Sequence, residues 1–206
     1  MILRRRHLAG LATLLPLPGL AQGAQFHRMG LLGPLLREDP PDRPWRVTDE
    51  DGAMRLDNQS VPLEVRSFFM ARDRVARPGV PISLSVSVTM ERAAKEDGGL
   101  HGAGLLYARR DVPGGVRYWA LLLLSDGTVL LIDQQPRTFS RLGTARPRAP
   151  GRAELTAMEG SGRVTFGADG QEVATLGAEG VGEGRIGVCM FGQGRVLFDG
   201  FRAAPA

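Results

Sequence analysis

Four side chains on neighbouring apolar segments could together recognise a sugar. Tyr107 and Arg109 are two residues apart, so a β-strand would place both on one face. Trp119 lies in the next apolar segment, and Asp133 lies in the one after it. An aromatic ring that stacks on a sugar, beside a guanidinium and a carboxylate, is a common basis of glycan recognition. These four residues are the candidate ligand-binding site, and packing of both rings in the core is the alternative.

The acidic residues do not form the pattern that glycoside hydrolysis requires. That reaction usually uses two carboxylates held about 5 to 10 Å apart. Glu91, Glu96 and Asp97 follow one apolar segment, with His101 nearby. We interpret this group as solvated loop residues rather than as an acid/base pair. No catalytic residue is assigned from the sequence.

Aspartates that precede glycines predict turns rather than a metal centre. Asp126, Asp169 and Asp199 each stand directly before a glycine, which is typical of turns and bulges. The alternative for Asp199 is a calcium site shared with Asp111 and backbone carbonyl oxygens. The chain has three histidines and one cysteine, too few for a zinc or iron site built from side chains. We therefore expect no cofactor, with calcium as the alternative.

Cys189 is the only cysteine of the chain, so an intramolecular disulfide is excluded. It lies in an apolar segment with Ile186, Val188 and Met190, which indicates a buried thiol that acts as a small hydrophobe. A nucleophilic role would need a base beside the thiol, and no motif surrounds the histidines of the chain.

Alternation of apolar and polar residues predicts β-strands through most of the chain. In residues 82–90 every even position is apolar, and every odd position is serine or threonine. A strand would bury one face of this segment and leave the other polar. Residues 118–124 and 128–133 predict one hairpin, and residues 163–176 predict a second with Asp169 and Gly170 at its turn. Further strands are expected at 53–57, 66–72, 103–109, 139–144, 153–158, 185–191 and 195–203, with a bulge at Asp199 and Gly200.

Residues 1–23 have the features of a cleaved signal peptide. Arg4, Arg5 and Arg6 precede the apolar run from Leu8 to Leu20, and small residues follow it. The run is too short and too rich in proline for a stable membrane span. We expect a periplasmic or extracellular protein, exported by a general secretory or a twin-arginine signal. An N-terminal membrane anchor is the alternative.

The charge of the chain argues against nucleic acid as a partner. The formal net charge is +4, and the loss of three arginines with residues 1–23 reduces it to +1. Clusters such as Arg109 with Arg110, and Arg146 with Arg148, are interpreted as solvated loop charges. We expect no nucleic-acid partner and no stable membrane insertion after cleavage.

The mature chain is expected to consist of an arm and one domain. Residues 24–44 combine scattered leucines with a proline-rich end, which predicts an apolar arm and a stiff linker. The arm should pack on the edge of the domain, and partner binding is the alternative. Residues 45–206 are long enough for a single β-sandwich with its own core. The oligomeric state cannot be inferred.

Eight segments of this chain follow one another in an order that is also found in known proteins. They are residues 45–56, 82–90, 104–111, 118–123, 126–131, the hairpin at 169–170, 184–188 and 198–202. In this order they resemble the concanavalin A-like lectin and glucanase jelly-roll domains, and among these the secreted 3-keto-disaccharide hydrolase domains. The resemblance implies an all-β jelly-roll sandwich of two antiparallel sheets. It also implies an enzyme that cleaves 3-keto-glycosides, a hydrolase or lyase, as one candidate function.

The residues themselves favour a non-catalytic function. An exported sandwich without an acid/base pair is expected to bind a saccharide or another component of the cell envelope. The enzyme acting on 3-keto-glycosides is the alternative. A structural or assembly protein without a small ligand is a further alternative.

Overall fold

The computed structural model describes residues 26–28, 34–37, 46–50, 53–58, 66–92 and 100–205. These residues form strands with one short helix. The strands are β1 (Phe26–Arg28), β2 (Pro34–Arg37), β3 (Arg46–Glu50), β4 (Ala53–Asn58), β5 (Arg66–Ala76), β6 (Ile82–Arg92), β7 (Gly102–Val112), β8 (Gly115–Leu124), β9 (Val129–Gln134), β10 (Phe139–Ala145), β11 (Arg152–Gly160), β12 (Arg163–Ala168), β13 (Gln171–Gly177), β14 (Gly184–Phe191) and β15 (Gly194–Ala204). The helix α1 (Ala178–Val181) follows β13 and was not predicted from the sequence.

The strands form two antiparallel sheets packed face to face. Sheet A has the order β1-β2-β5-β14-β7-β8-β9-β10, and sheet B has the order β13-β12-β11-β6-β15-β4-β3. Neighbours such as β14 and β5, or β15 and β6, are distant in sequence, as the crossing connections of a jelly roll require. The predicted all-β sandwich of two antiparallel sheets is confirmed.

The serine-rich alternation in β6 buries one face of sheet B. Ile82, Leu84, Val86 and Val88 are buried, and the serines between them are partly exposed. The buried side chains meet apolar residues of sheet A, among them Leu121 and Leu131, in one core between the sheets. The inner face of sheet B therefore belongs to the core, and its outer face carries polar groups.

The turn and the bulge expected from aspartate–glycine pairs are both present. Asp169 and Gly170 have φ angles of 50° and 79°, the left-handed values that a tight hairpin needs between β12 and β13. The pairing of β15 with β6 shifts between Asp199 and Arg202, with Gly200 at φ 62°. Both local predictions are confirmed.

Parts of the predicted arm lie on the domain. β1 pairs with β2, and β2 pairs with β5, so the two segments extend one edge of sheet A. The remainder of residues 24–44, like the expected signal peptide, lies outside the described residues. In the described part of the chain, no helix has the length and apolar character needed to cross a membrane.

Cys189 is buried, as expected, but it faces a different side of its strand from the residues that flank it. Ile186, Val188 and Met190 belong to the core between the sheets. The Cys189 side chain belongs to a second apolar cluster on the opposite face of sheet A. Strand β14 thus buries both of its faces.

Candidate functional site

Three of the four residues in the sequence-derived site are direct neighbours in sheet A. Tyr107 on β7 pairs with Trp119 on β8, and Trp119 pairs with Asp133 on β9. Both rings are buried, and Trp119 is only 2% exposed. The Tyr107 ring meets Phe166 of the facing sheet edge-on, with 5.6 Å between ring centroids. Neither ring offers an open face to a sugar, so their placement agrees with the core-packing alternative, and ligand binding by this set stays a prediction.

The fourth residue, Arg109, is not on the face that its spacing from Tyr107 predicts. Ala108 between them has a φ of 52°, and the pairing of β7 with β8 shifts between Tyr107 and Arg110. The extra residue of this bulge reverses the alternation beyond it. The guanidinium of Arg110 consequently lies over the Trp119 ring, 5.4 Å from its centroid. A non-glycine bulge of this kind has no signal in the sequence.

A cluster of charges surrounds Trp119 at this end of the sandwich. The Arg117 guanidinium lies 4.7 Å from the ring centroid and 3.4 Å from the Asp133 carboxylate. Burial, and then repulsion from Arg117, lower the pKa of Arg110. Arg110 also donates to the carbonyl oxygen of Val181 at 2.6 Å, which ties α1 to sheet A. These contacts engage the charges with one another and with the backbone, so we interpret the cluster as structural.

A buried carboxylate links the two sheets beside this cluster. Glu159 of β11 is buried, and its two oxygens accept hydrogen bonds from the Tyr107 hydroxyl and the Gly79 backbone N–H, each at 2.7 Å. Burial raises the pKa of Tyr107, and the hydrogen bond and charge of Glu159 raise it further. One oxygen thus binds a core side chain of sheet A and the other binds the turn between β5 and β6, so Glu159 is placed to hold the two sheets and this turn together.

The raised pKa of Tyr107 makes stability sensitive to high pH. The folded protein holds this proton more tightly than the unfolded chain, whose tyrosines titrate near pH 10. The contribution of Tyr107 to the free energy of unfolding is therefore complete below about pH 10. Above that pH it decreases by about 1.4 kcal/mol for each pH unit. Urea unfolding between pH 8 and 11 should show this slope in the wild type and a shallower one in Tyr107→Phe. Equal slopes in the two proteins would contradict the assignment.

The acidic residues and the histidine considered for catalysis have structural contacts where they are described. The Nε of Arg55 donates to the Glu91 carboxylate at 2.8 Å, and Nδ1 of the buried His101 accepts the backbone N–H of Gln193 at 2.8 Å. Asp126 accepts the N–H of Thr128 within its turn. Glu96 and Asp97 lie outside the described residues. Over the described ranges, no group of three or more histidine, cysteine, aspartate or glutamate side chains could hold a metal ion.

A polar groove lies on the outer face of sheet B. It has a volume of about 330 Å³ and is lined by Ser87, Arg148, Ala149, Arg152, Glu154 and Asp169. The volume is at the lower end of the range for small-molecule sites. We call this feature the sheet B groove.

Distant parts of the chain build the sheet B groove. Ser87 is one of the outward serines of β6, and it pairs with Glu154 of β11. The loop between β10 and β11 brings Arg148 to the rim. Asp169 holds this loop, since one oxygen accepts the N–H of Arg148 and the other accepts the N–H of Glu154, each at 2.8 Å. Asp169 is therefore a positioning residue of the groove.

The other charged side chains of the groove are available to a ligand. Arg148, Arg152 and Glu154 are exposed. Among the described residues, their side chains have no ion pair or hydrogen-bond partner. Two guanidinium groups and one carboxylate, with the Ser87 hydroxyl, supply both donors and acceptors around one cavity. This set can form charge-assisted hydrogen bonds to a ligand rich in hydroxyl groups.

The sequence alone did not reveal this groove. The alternation in residues 82–90 predicted a polar outer face, and Arg148 was interpreted as a solvated loop charge. The missing information was the pairing of β6 with β11, which joins segments more than 60 residues apart. A more specific signal was the spacing of Arg152 and Glu154. These two opposite charges are two residues apart, on one face of a strand whose other face is apolar.

Comparison with known proteins supports the fold alone. No family model and no curated protein matches the chain. The carbohydrate binding module CBM66 from Bacillus subtilis superposes with a TM-score of 0.54 at 11% identity, over 78% of this chain and 94% of the module. A Bacillus subtilis protein of unknown function with a galectin-like fold superposes with a TM-score of 0.57 at 13% identity, over 79% of this chain and 86% of that protein. These likenesses agree with a jelly-roll β-sandwich of two antiparallel sheets.

A longer solved structure contains the same sandwich as one part. The Bacteroides ovatus xyloglucan PUL GH43B protein superposes with a TM-score of 0.59 at 16% identity. The match covers 87% of this chain and 38% of that protein. The likeness is thus to a portion of the larger protein.

Proposed function

We propose that this protein is an exported, non-catalytic β-sandwich that binds a saccharide in the sheet B groove. The observation that carries the proposal is the set of unengaged charged groups around the groove, formed by Arg148, Arg152 and Glu154. Sugar hydroxyls both donate and accept hydrogen bonds, so a site with both kinds of partner suits them. The likeness to a carbohydrate binding module supports the same ligand class.

The carboxylates of the groove support binding rather than hydrolysis. Glu154 and Asp169 both line the cavity. Both oxygens of Asp169 accept backbone N–H groups, so this carboxylate is occupied in holding the loop. One free carboxylate does not make the pair that glycoside cleavage usually needs. The resemblance to 3-keto-disaccharide hydrolase domains nevertheless makes 3-keto-disaccharides a ligand class to include in the test.

Removal of the charged groups should weaken saccharide binding without loss of stability. A hydrogen bond to a charged group contributes about 1.5 to 3 kcal/mol, so Arg152→Ala or Glu154→Gln should raise Kd about tenfold to a hundredfold. Both side chains are exposed, so the melting temperature should stay close to that of the wild type. A glycan array that includes 3-keto-disaccharides would supply the probe, and calorimetry would measure Kd.

Matched controls exist on the same sheet. Arg163→Ala removes an exposed arginine of β12, and Glu172→Gln changes an exposed glutamate of β13. Neither residue lines the groove. Equal losses of affinity in controls and groove variants would contradict the assignment. Turnover of a 3-keto-disaccharide by the wild type would contradict the non-catalytic proposal.

Export is part of the proposal and has its own measurement. Arginines, an apolar run and small residues occur in the order that a signal peptide requires. The mature chain should begin near Ala24 and be recovered outside the cytoplasm. Intact-mass determination of the periplasmic or secreted fraction measures the first residue. Recovery of the full-length chain in the membrane would support the anchor alternative.

A further inference from the structure

The loop between β10 and β11 brings arginines, and no acidic residue, to the rim of the sheet B groove. Residues 146–151 are Arg-Pro-Arg-Ala-Pro-Gly, and Arg152 follows them as the first residue of β11. Arg148 and Arg152 line the groove, whereas Arg146 is exposed and does not line it. We call residues 146–151 the arginine loop.

Backbone contacts fix the course of the arginine loop. Asp169 accepts the N–H of Arg148 at 2.8 Å, and the carbonyl oxygen of Gly151 accepts the N–H of Met90 at 2.7 Å. The two prolines of the loop restrict its backbone further. A binding loop that is ordered before its ligand arrives loses less conformational entropy on binding. The loop therefore presents its arginines in a preorganised way.

The charged groups that a ligand can reach in the groove are unequal in number. Arg148 and Arg152 supply two guanidinium groups, and Glu154 supplies one carboxylate. The other lining carboxylate, Asp169, uses both oxygens to hold backbone N–H groups. A guanidinium stays charged, and its planar fork matches the two oxygens of a carboxylate. A ligand with one carboxylate would therefore complete the set of partners.

We propose that the saccharide bound in the sheet B groove is acidic, and that Arg148 binds the carboxylate of a uronic acid residue in it. This inference rests on the proposed saccharide binding in the same groove. It goes further because it assigns a chemical class to the sugar and a specificity-determining role to Arg148.

The positions of the groups give the ligand a direction. Arg148 lies beside the turn at Gly170, since a Cβ on this glycine would be 3.8 Å from a terminal nitrogen of the guanidinium. Ser87 and Glu154 lie on the sheet itself, paired between β6 and β11. Because like charges repel, the sugar carboxylate belongs at the rim with Arg148, and the sugar hydroxyls belong over Ser87 and Glu154.

A matched pair of ligands tests the acidic class. The glycan array should give its strongest signals with uronate-containing saccharides. The strongest of these is then compared with its carboxyl-reduced form, in which the carboxylate has become a neutral hydroxymethyl group and the ring hydroxyls are kept. Calorimetry should give a Kd about tenfold or more higher for the reduced form, the usual effect of losing a hydrogen bond between charged groups. Added salt should weaken binding of the acidic form alone.

A matched pair of variants tests the role of Arg148. Arg148→Gln should raise the Kd of the acidic saccharide about tenfold or more and change that of the reduced form by less than about threefold. Arg146→Gln removes the same charge from the same loop outside the groove, and it should change both Kd values by less than about threefold. Both side chains are exposed, so the melting temperatures should stay close to that of the wild type.

The outcomes separate this inference from the proposed function. Strongest array signals with neutral glycans, or equal Kd values for the acidic and reduced forms, would overturn the acidic class and leave saccharide binding in the groove standing. Equal losses of affinity in Arg148→Gln and Arg146→Gln would overturn the role of Arg148. Failure of the wild type to bind any saccharide on the array would overturn the proposed function, and this inference with it.

Discussion

Trp119→Ala should lower the free energy of unfolding by about 3 to 5 kcal/mol, the usual cost of truncating a buried aromatic side chain. The ring is 2% exposed and packs in the core between the sheets. Its loss would leave a cavity, and it would also remove the ring on which the Arg110 and Arg117 guanidinium groups lie. Urea unfolding followed by far-ultraviolet circular dichroism would measure the change.

Phe139→Ala provides the control for this experiment. Phe139 is also an aromatic residue of sheet A, but it is 44% exposed. Its truncation should change stability by no more than about 0.5 kcal/mol. If Trp119→Ala instead preserved stability and abolished binding of a saccharide, Trp119 would be an exposed stacking platform and the core assignment would fail.

Gly184→Ala should destabilise the protein by about 3 kcal/mol or more, because a new methyl group would overlap the backbone of the neighbouring strand. A Cβ at Gly184 would meet the backbone of Ala108, with the Ala108 Cα at 2.8 Å and its carbonyl group closer still. Ala108 is the bulged residue that turns Arg110 toward Trp119. The substitution therefore tests whether the bulge depends on close approach by a glycine.

The control for Gly184 is Gly160→Ala at the end of β11. A Cβ at Gly160 would have no atom within 4 Å, so this change should be close to neutral. Thermal unfolding of both variants beside the wild type would measure the difference. Similar melting temperatures for Gly184→Ala and Gly160→Ala would show that β7 and β14 can separate without cost.

Features encoded by neighbouring residues could be predicted from the sequence. The alternation in residues 82–90 and the Asp169–Gly170 turn determine local backbone and burial, and both are found in the structure. The relation between Tyr107 and Arg109 could not be predicted, because it depends on Ala108, a residue without the usual preference for a positive φ. One unexpected bulge moved a candidate arginine to the other face of its strand.

The two faces of sheet A show a second limit of sequence patterns. Residues 118–124 are apolar at odd and even positions, and this indicated a strand buried on both sides. The pattern could not show that one side meets sheet B while the other side belongs to a second apolar cluster on the opposite face of sheet A. The sheet B groove was missed for a related reason, because β6 and β11 become neighbours only through the topology.

The most direct test of saccharide binding in the sheet B groove is amide chemical-shift mapping of the isotope-labelled protein. The probe is the saccharide with the strongest signal on the glycan array, added to the wild type and to Arg152→Ala. We predict that shift changes in the wild type concentrate at Ser87, residues 148–154 and Asp169, and that at the same saccharide concentration they are much smaller in the variant. Shift changes that instead concentrate around Trp119 or elsewhere on sheet A, and that persist in Arg152→Ala, would contradict the account.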